Sequence, residues 1–292
     1  MFFVRTSQTA AVPLILFRRL FGGRVMYWNC GEASRRRRDG LRGVFRSELP
    51  ARFAFRWADT LVTGTNALAA RYSSTYGIPS DRIAVLPNDI DLDWFRPADP
   101  EERARTRAEL GVGDDEPLVL SVHRFSPVRR TLDYIPAVFE AVLKDNPDVR
   151  FVLAGGGPEE AGVRRAVAAA GLNDRVRMLG AIPNEDVRRF YAAADVFVMP
   201  SYTEGFPRVL LEAMAMGLPI ASTDVGGVRE ILPDAYHERL ADRDRPLELA
   251  RAIDELLRDR EAAQELAADG RQWVQRFDAS VVAQELATLA RG

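Results

Sequence analysis

Two carboxylates, Glu204 and Glu212, stand on either side of the turn Gly205-Phe206-Pro207 in the stretch TEGFPRVLLEAMAMGLP. Proline suits the first turn of a helix, where its missing N–H costs nothing. The turn before that helix can offer backbone N–H groups to a phosphate. Glu212 falls about two turns into the helix, among Val209, Leu210, Leu211, Ala213 and Met214. A lone carboxylate buried there costs several kcal/mol unless it is partnered. A pair of vicinal hydroxyls on a ligand is one suitable partner; Arg208, four residues earlier on the same helix, is the internal alternative. Glu204 is either a ligand for the same molecule or a plain helix-entry residue.

A second group is HRFSPVRR (123–130), with Arg124 directly after an apolar run and Arg129 five residues on. Two guanidiniums held together repel each other, and a diphosphate between them removes the repulsion. A surface loop in an arginine-rich chain reads the same on spacing alone. AGGGPEE (154–160) and DVGGVREI (224–231) add glycine turns ahead of helices, suited either to an anion or to a tight turn.

The elements that must carry these residues follow a regular alternation. LVLSV, VRFVLAG, VRMLG, DVFVMP and PIAST are apolar runs without polar alternation, and each precedes a helical pattern. Strands of that kind are buried on both faces, as in a parallel sheet covered by helices. The expected fold is therefore α/β, a doubly wound Rossmann-like domain whose ligand lies beyond the carboxyl ends of the strands. The first part of the chain repeats the rhythm through FFVR, RVMYW, TLVTG and IAVLP, as a second, less complete Rossmann-like domain. The expected organisation is 1–112 for that domain with its linker and 113–276 for the second. A final amphipathic helix in 277–292 is expected to pack back toward the first.

Composition narrows the classes. The chain has 292 residues, 47% hydrophobic and 28% charged, with one cysteine, Cys30, and two histidines. That excludes a disulfide framework and a Cys/His zinc cluster. No run reaches the roughly 18 apolar residues of a membrane-spanning helix. Residues 1–58 hold twelve Arg against three acidic residues, with the densest run at 35–38. Such a run is either a solvated loop or a contact for an anionic membrane surface. Nucleic acid is not indicated, because no recognition motif accompanies it. The expected place is the cytoplasm, peripherally at the inner face of the membrane through residues 1–58.

Four ordered elements resemble the retaining GT-B-fold glycosyltransferases of family four, also called group 1. Glu204 to Glu212 is similar to that family's E-x7-E, and Val122-His123-Arg124 with Arg129 to V-G-R-x4-K. Leu153 to Pro158 resembles L-x-G-x-G-P, and Leu86 to Asp91 resembles I-P-N-G-V-D. The resemblance implies two Rossmann-like domains, the first incomplete on its amino-terminal side and without a counterpart of the family's Gly-rich loop.

It also implies a catalytic set of Arg124, Arg129 and Glu204, the arginines on the donor diphosphate and Glu204 on the transferred sugar. The implied donor-binding set is Arg130, Gly155, Gly156, Ala181, Ile182, Gly205, Phe206, Pro207, Arg208 and Glu212. In it Glu212 takes the ribose diol, and the segment from Gly180 to Pro183 borders the base. The implied reaction moves a sugar from a nucleotide-diphosphate donor to a lipid-linked or polysaccharide acceptor, with retention and without metal or other cofactor. Asp89-Ile90-Asp91 and Asp91-Leu92-Asp93 have the form of a metal-binding D-x-D, but turn chemistry accounts for them. This chain departs from the family at His123, where the family has Gly, at Arg129 or Arg130, where it has Lys, and at Cys30, aligned with a family His. The alternative reading is a truncated, non-catalytic nucleotide-sugar-binding protein or partner subunit that does not turn its ligand over.

Overall fold

A computed structural model describes residues 1–5, 8–31 and 49–291. The arginine run at 35–38 lies outside the described residues. The chain forms two compact units, one of residues up to Asp89 with Glu204–Phe206 and Ser280 onward, the other of Ile90–Thr203 and Pro207–Ala279.

In the first unit, β1 (Phe2–Arg5), α1 (Gln8–Phe21), β2 (Val25–Trp28), α2 (Leu49–Trp57), β3 (Thr60–Thr63), α3 (Asn66–Tyr76) and β4 (Ile83–Val85) follow one another. The sheet order is β1-β2-β3-β4, and every pairing is parallel. All four residues of β2 are buried, as a central parallel strand covered on both faces requires. Helix α3 shows the local logic well. Thr65 accepts the backbone N–H of Leu68 at 3.2 Å, and Gly77 ends the helix at φ 65°, a left-handed closure that glycine adopts without strain.

The second unit opens with α4 (Pro100–Leu110) and continues β5 (Leu118–Val122), α5 (Thr131–Asp145), β6 (Arg150–Ala154), α6 (Glu160–Ala169), β7 (Val176–Gly180), α7 (Asn184–Ala193), β8 (Val196–Met199), α8 (Arg208–Ala215) and β9 (Ile220–Ser222). The short α9 (Val228–Ile231), α10 (Pro246–Arg258) and α11 (Arg260–Trp273) complete it. The strand order is β7-β6-β5-β8-β9, all parallel. That is the doubly wound arrangement expected from the sequence, and its direction of winding reverses between β5 and β8. The last helix, α12 (Ala279–Arg291), returns to the first unit, where Val282 packs with Met26, Trp28, Val62 and Leu86.

Helix α4, placed by its charges and prolines in the linker of a 1–112 domain, belongs to the second unit. Its start is fixed by Asp99, which accepts the N–H of Glu102 at 2.7 Å, and by Pro100 in the first turn. Its attachment comes from two arginines. Arg103 Nη1 donates to the carbonyl of Ala194 at 2.7 Å, and Arg107 Nη1 donates to that of Ala193 at 2.9 Å. Both arginines pair with Asp195, at 2.6 and 3.3 Å. Asp195 in turn accepts the N–H of Leu118 at 2.8 Å, so one carboxylate ties α4 to the first residue of β5 just ahead of β8.

Candidate donor site at the switch point

In an open parallel sheet the crevice for a ligand lies beyond the strand ends where the winding direction reverses. Here the loops leaving β5 and β8 flank that point, with Val119 opposite Val196 and Leu120 opposite Phe197. The first loop carries Arg124 and Arg129, and the second leads through Glu204 into α8 and Glu212. They are joined by a backbone hydrogen bond, Tyr202 N–H to the Arg129 carbonyl at 3.2 Å.

After β5 the chain turns through a short 3-10 segment, Pro127–Arg129. The Arg124 side chain is exposed. Arg129 Nη1 reaches back to the Arg124 carbonyl at 3.4 Å, which ties the Arg129 side chain to the backbone of the same loop. Arg130 is turned elsewhere. It adopts φ 52°, faces Asp133 and Asp244 at 3.8 and 3.9 Å, and lies 4.8 Å from the centre of the Tyr202 ring. His123, where the resemblance expects glycine, is buried beneath this loop. Burial first, and then the charge of Arg129, pushes its imidazole down to about 3, so it stays neutral. Its Nε2 has no hydrogen-bond partner among the described residues.

The turn after β6 holds Gly155 and Gly156. The N–H of Phe125 donates to the Gly156 carbonyl at 3.1 Å, and that of His123 donates to the Ala154 carbonyl at 2.8 Å. The turn therefore lies directly against the arginine loop. Glu159 Oε2 accepts the Thr131 hydroxyl at 2.8 Å, fixing this turn to the start of α5. At the end of β7, Ala181 is exposed and Ile182 half-buried, so this rim is open.

The segment after β8 is more tightly held. Ser201 Oγ donates to the Thr203 carbonyl at 3.1 Å, and Thr223 Oγ1 donates to the Ser201 carbonyl at 2.6 Å. Glu204, Gly205, Phe206 and Pro207 are all buried. Phe206 is accommodated in the first unit by Gly64, where an added Cβ would stand 2.6 Å from the ring. Pro207 caps α8 rather than opening it, since the helix begins at Arg208. Arg208 is exposed.

Glu212 has a partner that sequence reasoning missed. The Tyr191 hydroxyl, on α7, donates to Glu212 Oε2 at 2.8 Å. Burial raises the Glu212 carboxyl above its usual range, while the Tyr191 hydrogen bond and the charge of Arg208 act in the opposite direction. Arg208, the internal partner suggested by spacing, acts only through its charge.

The two aspartate motifs resolve as turns and pairs. Asp91 Oδ1 accepts the N–H groups of Asp93 and Trp94 at 3.0 and 2.9 Å, and Asp89 faces Arg5 at 3.7 Å. In the first unit, Cys30 Sγ accepts the Trp28 indole N–H at 2.9 Å. Burial outweighs that bond and the charge of Arg5, and raises the thiol to about 11.

Two units built on parallel sheets covered by helices have the fold of the GT-B glycosyltransferases. Anabaena HepE in complex with UDP and glucose superposes with a TM-score of 0.84 at 22% identity, over 99% of this chain and 78% of that one. Sucrose-phosphate synthase from Thermosynechococcus elongatus does so with a TM-score of 0.78 at 25% identity, over 99% and 73%. The chain belongs to the glycosyl transferases of group 1, whose family model matches residues 102–273.

Among curated relatives, the D-inositol 3-phosphate glycosyltransferase of Nocardia farcinica is 35% identical over 210 residues, covering 70% of this chain and 46% of that protein. The GDP-mannose-dependent alpha-(1-6)-phosphatidylinositol monomannoside mannosyltransferase of Mycolicibacterium smegmatis is 31% identical over 223 residues, covering 74% and 57%. The chain thus spans about half the length of the curated relatives it matches. Among the described residues, no helix is long and apolar enough to cross a membrane.

Proposed function

We propose that this chain binds a nucleotide-diphosphate sugar at the β5/β8 reversal point and transfers the sugar to an acceptor with retention of anomeric configuration. The observation that carries the reading is the pairing of the two loops there. Arg124 and Arg129 stand on one, and the other runs into the helix that bears Glu212. Two guanidiniums on one loop suit a diphosphate, and they stabilise the charge that grows on it as the glycosidic bond opens. Glu212 accepts hydrogen bonds from the ribose hydroxyls, and Glu204 from those of the sugar. Backbone N–H groups of the segment from Gly205 to Arg208 meet the sugar and phosphate, and Ala181 with Ile182 borders the base. The acceptor attacks from the face that the diphosphate leaves, and a phosphate oxygen takes the acceptor proton, so the chemistry needs no metal.

Relatives that use GDP-mannose and structural neighbours that hold UDP support a nucleotide-sugar donor. The acceptor belongs to the lipid-linked or polysaccharide class, and the basic residues within 1–58 face an anionic membrane surface. A second reading, binding without turnover, is favoured by one observation. Cys30 stands where the resemblance puts a family histidine, and its thiol stays protonated near neutral pH.

Calorimetry with UDP, GDP and their sugars, followed by a hydrolysis assay, separates these readings. Binding that Arg124→Ala and Glu212→Ala each weaken by about tenfold or more in folded protein supports the site, and unchanged affinity in both rejects it. Binding by the unaltered chain without hydrolysis or transfer selects the second reading.

A further inference from the structure

Glu212 faces two demands that conflict. A carboxylate that reads a diol must be ionised and must hold one orientation, yet this one sits where burial disfavours its charge. On a helix, a glutamate retains three rotatable side-chain bonds, and ordering them costs entropy at the moment of binding unless they are already fixed. Within α8 nothing fixes them, since the residues around Glu212 are apolar and Arg208 is exposed.

The fixing group comes from the neighbouring helix. The Tyr191 ring is fully buried, stacked on Phe197 of β8 with centroids 5.4 Å apart, and met edge-on by Phe95 at 6.3 Å. Its plane is set by two other rings, so its hydroxyl has one direction, and along that direction lies Glu212 Oε2 at 2.8 Å. Oε1 receives no hydrogen bond among the described residues. Tyrosine is the suitable donor here because its hydroxyl stands at the end of a rigid apolar body. That lets a buried aromatic layer present one proton donor without burying a second charge.

We infer that Tyr191 is the positioning residue of the donor site: its hydroxyl holds Glu212 by Oε2 and leaves Oε1 aimed at the ribose. The inference rests on the assignment of Glu212 to the ribose. Phe197 belongs to β8, the strand that leads into the donor loop, so the orientation of the carboxylate is coupled to the sheet itself. A phenylalanine at 191 keeps the packing and loses only the hydrogen bond.

The test is calorimetric binding of UDP and GDP, each compared with its 2′-deoxy counterpart, to the unaltered chain and to Tyr191→Phe. The unaltered chain should prefer the ribonucleotide. In Tyr191→Phe, ribonucleotide affinity should fall about tenfold, the scale of one hydrogen bond to a charged group. The affinity for the 2′-deoxy form should hold, so that the preference collapses. In a Glu212→Ala background the same tyrosine change should have no further effect, which a double-mutant cycle reads directly. Equal weakening of both nucleotides by Tyr191→Phe, or no change in either, overturns the positioning role. If the unaltered chain shows no ribose preference at all, the assignment of Glu212 fails instead.

Discussion

A Cβ placed on Gly155 would lie 1.9 Å from the carbonyl oxygen of His123. One on Gly157 would lie 2.2 Å from the carbonyl oxygen of Phe125, and the two glycines hold φ 137° and 150°. The glycine turn after β6 is therefore seated backbone against backbone on the arginine loop. A Cβ on Gly156, between them, would meet Ala181 Cβ at 3.1 Å, Glu160 Oε2 at 3.4 Å and Ala181 Cα at 3.6 Å. Clash with fixed backbone, added to φ strain, costs several kcal/mol. Gly155→Ala and Gly157→Ala should each destabilise the chain by about 2–4 kcal/mol in chemical denaturation, and should weaken nucleotide binding by displacing Arg124. Gly156→Ala should cost well under half as much.

Asp195 is the fixed point at the other end of the sheet. Arg107 is buried, and its two Nη atoms donate to Asp195 and to the carbonyls of Ala193 and Gly113, the last at 2.6 Å, while its Nε has no hydrogen-bond partner among the described residues. Removing the carboxylate leaves a buried cation short of its counter-charge, which is strongly destabilising. Asp195 is itself partly exposed, which moderates the loss. Asp195→Ala should lower unfolding free energy by about 2–4 kcal/mol. Replacing Arg103, the more exposed of the two arginines, should cost less than half of that, as paired urea titrations would show.

The sheet of the second unit is legible in sequence because its strands from Leu118 to Ser222 are mostly apolar runs ahead of helices, the edge strand β7 with its exposed Arg177 giving the weakest signal. That signal is local, and so is the placement of Arg124 and Arg129 in the loop after β5 and of Glu212 on the helix that follows β8. The relationships that escape the sequence depend on strand order. Tyr191 lies 21 residues before Glu212 and reads as one more apolar position of α7. Only the packing of α7 beside α8 makes it a partner. Helix α4 reads as a charged linker because its hydrophobic pattern is weak. What assigns it to the second unit is Arg103 and Arg107 reaching residues nearly ninety positions away. Arg130 follows Arg129 with nothing in composition to separate them, and its neighbours Asp133, Asp244 and Tyr202 are gathered only by the fold.

Asp254 on α10 is buried, and Asn146 Nδ2 donates to its Oδ1 at 2.8 Å. Burial, reinforced by Asp145, raises its carboxyl from 3.8 to about 6. The folded state therefore binds more protons than the unfolded one between about pH 4 and pH 6, and stability falls as pH rises through that window. Below it the group contributes no penalty, and above it the penalty is complete. Asp254→Asn keeps an oxygen for Asn146 and removes the charge. It should raise unfolding free energy at pH 7.5 by about 1–2 kcal/mol and give no gain at pH 4. A gain that is equal at both pH values would show that burial of the charge is not the cause.

The three arginines of the β5 loop should separate cleanly in binding. Arg124 and Arg129 stand on the loop where Arg129 Nη1 donates to the Arg124 carbonyl at 3.4 Å, whereas Arg130 faces Asp133, Asp244 and the Tyr202 ring. A guanidinium paired with a diphosphate contributes about 1.5–3 kcal/mol as a charge-assisted hydrogen bond. Arg124→Ala and Arg129→Ala should each weaken nucleoside diphosphate binding by at least about tenfold, and should flatten its dependence on salt, since fewer charges then act on the anion. Arg130→Ala should leave affinity within about twofold, its effect falling instead on the packing between Tyr202 and the start of α5. Calorimetric titrations at two salt concentrations read all three variants. A loss with Arg130→Ala as large as that with Arg124→Ala would mean that the bound state pulls Arg130 away from its two aspartates and onto the phosphates.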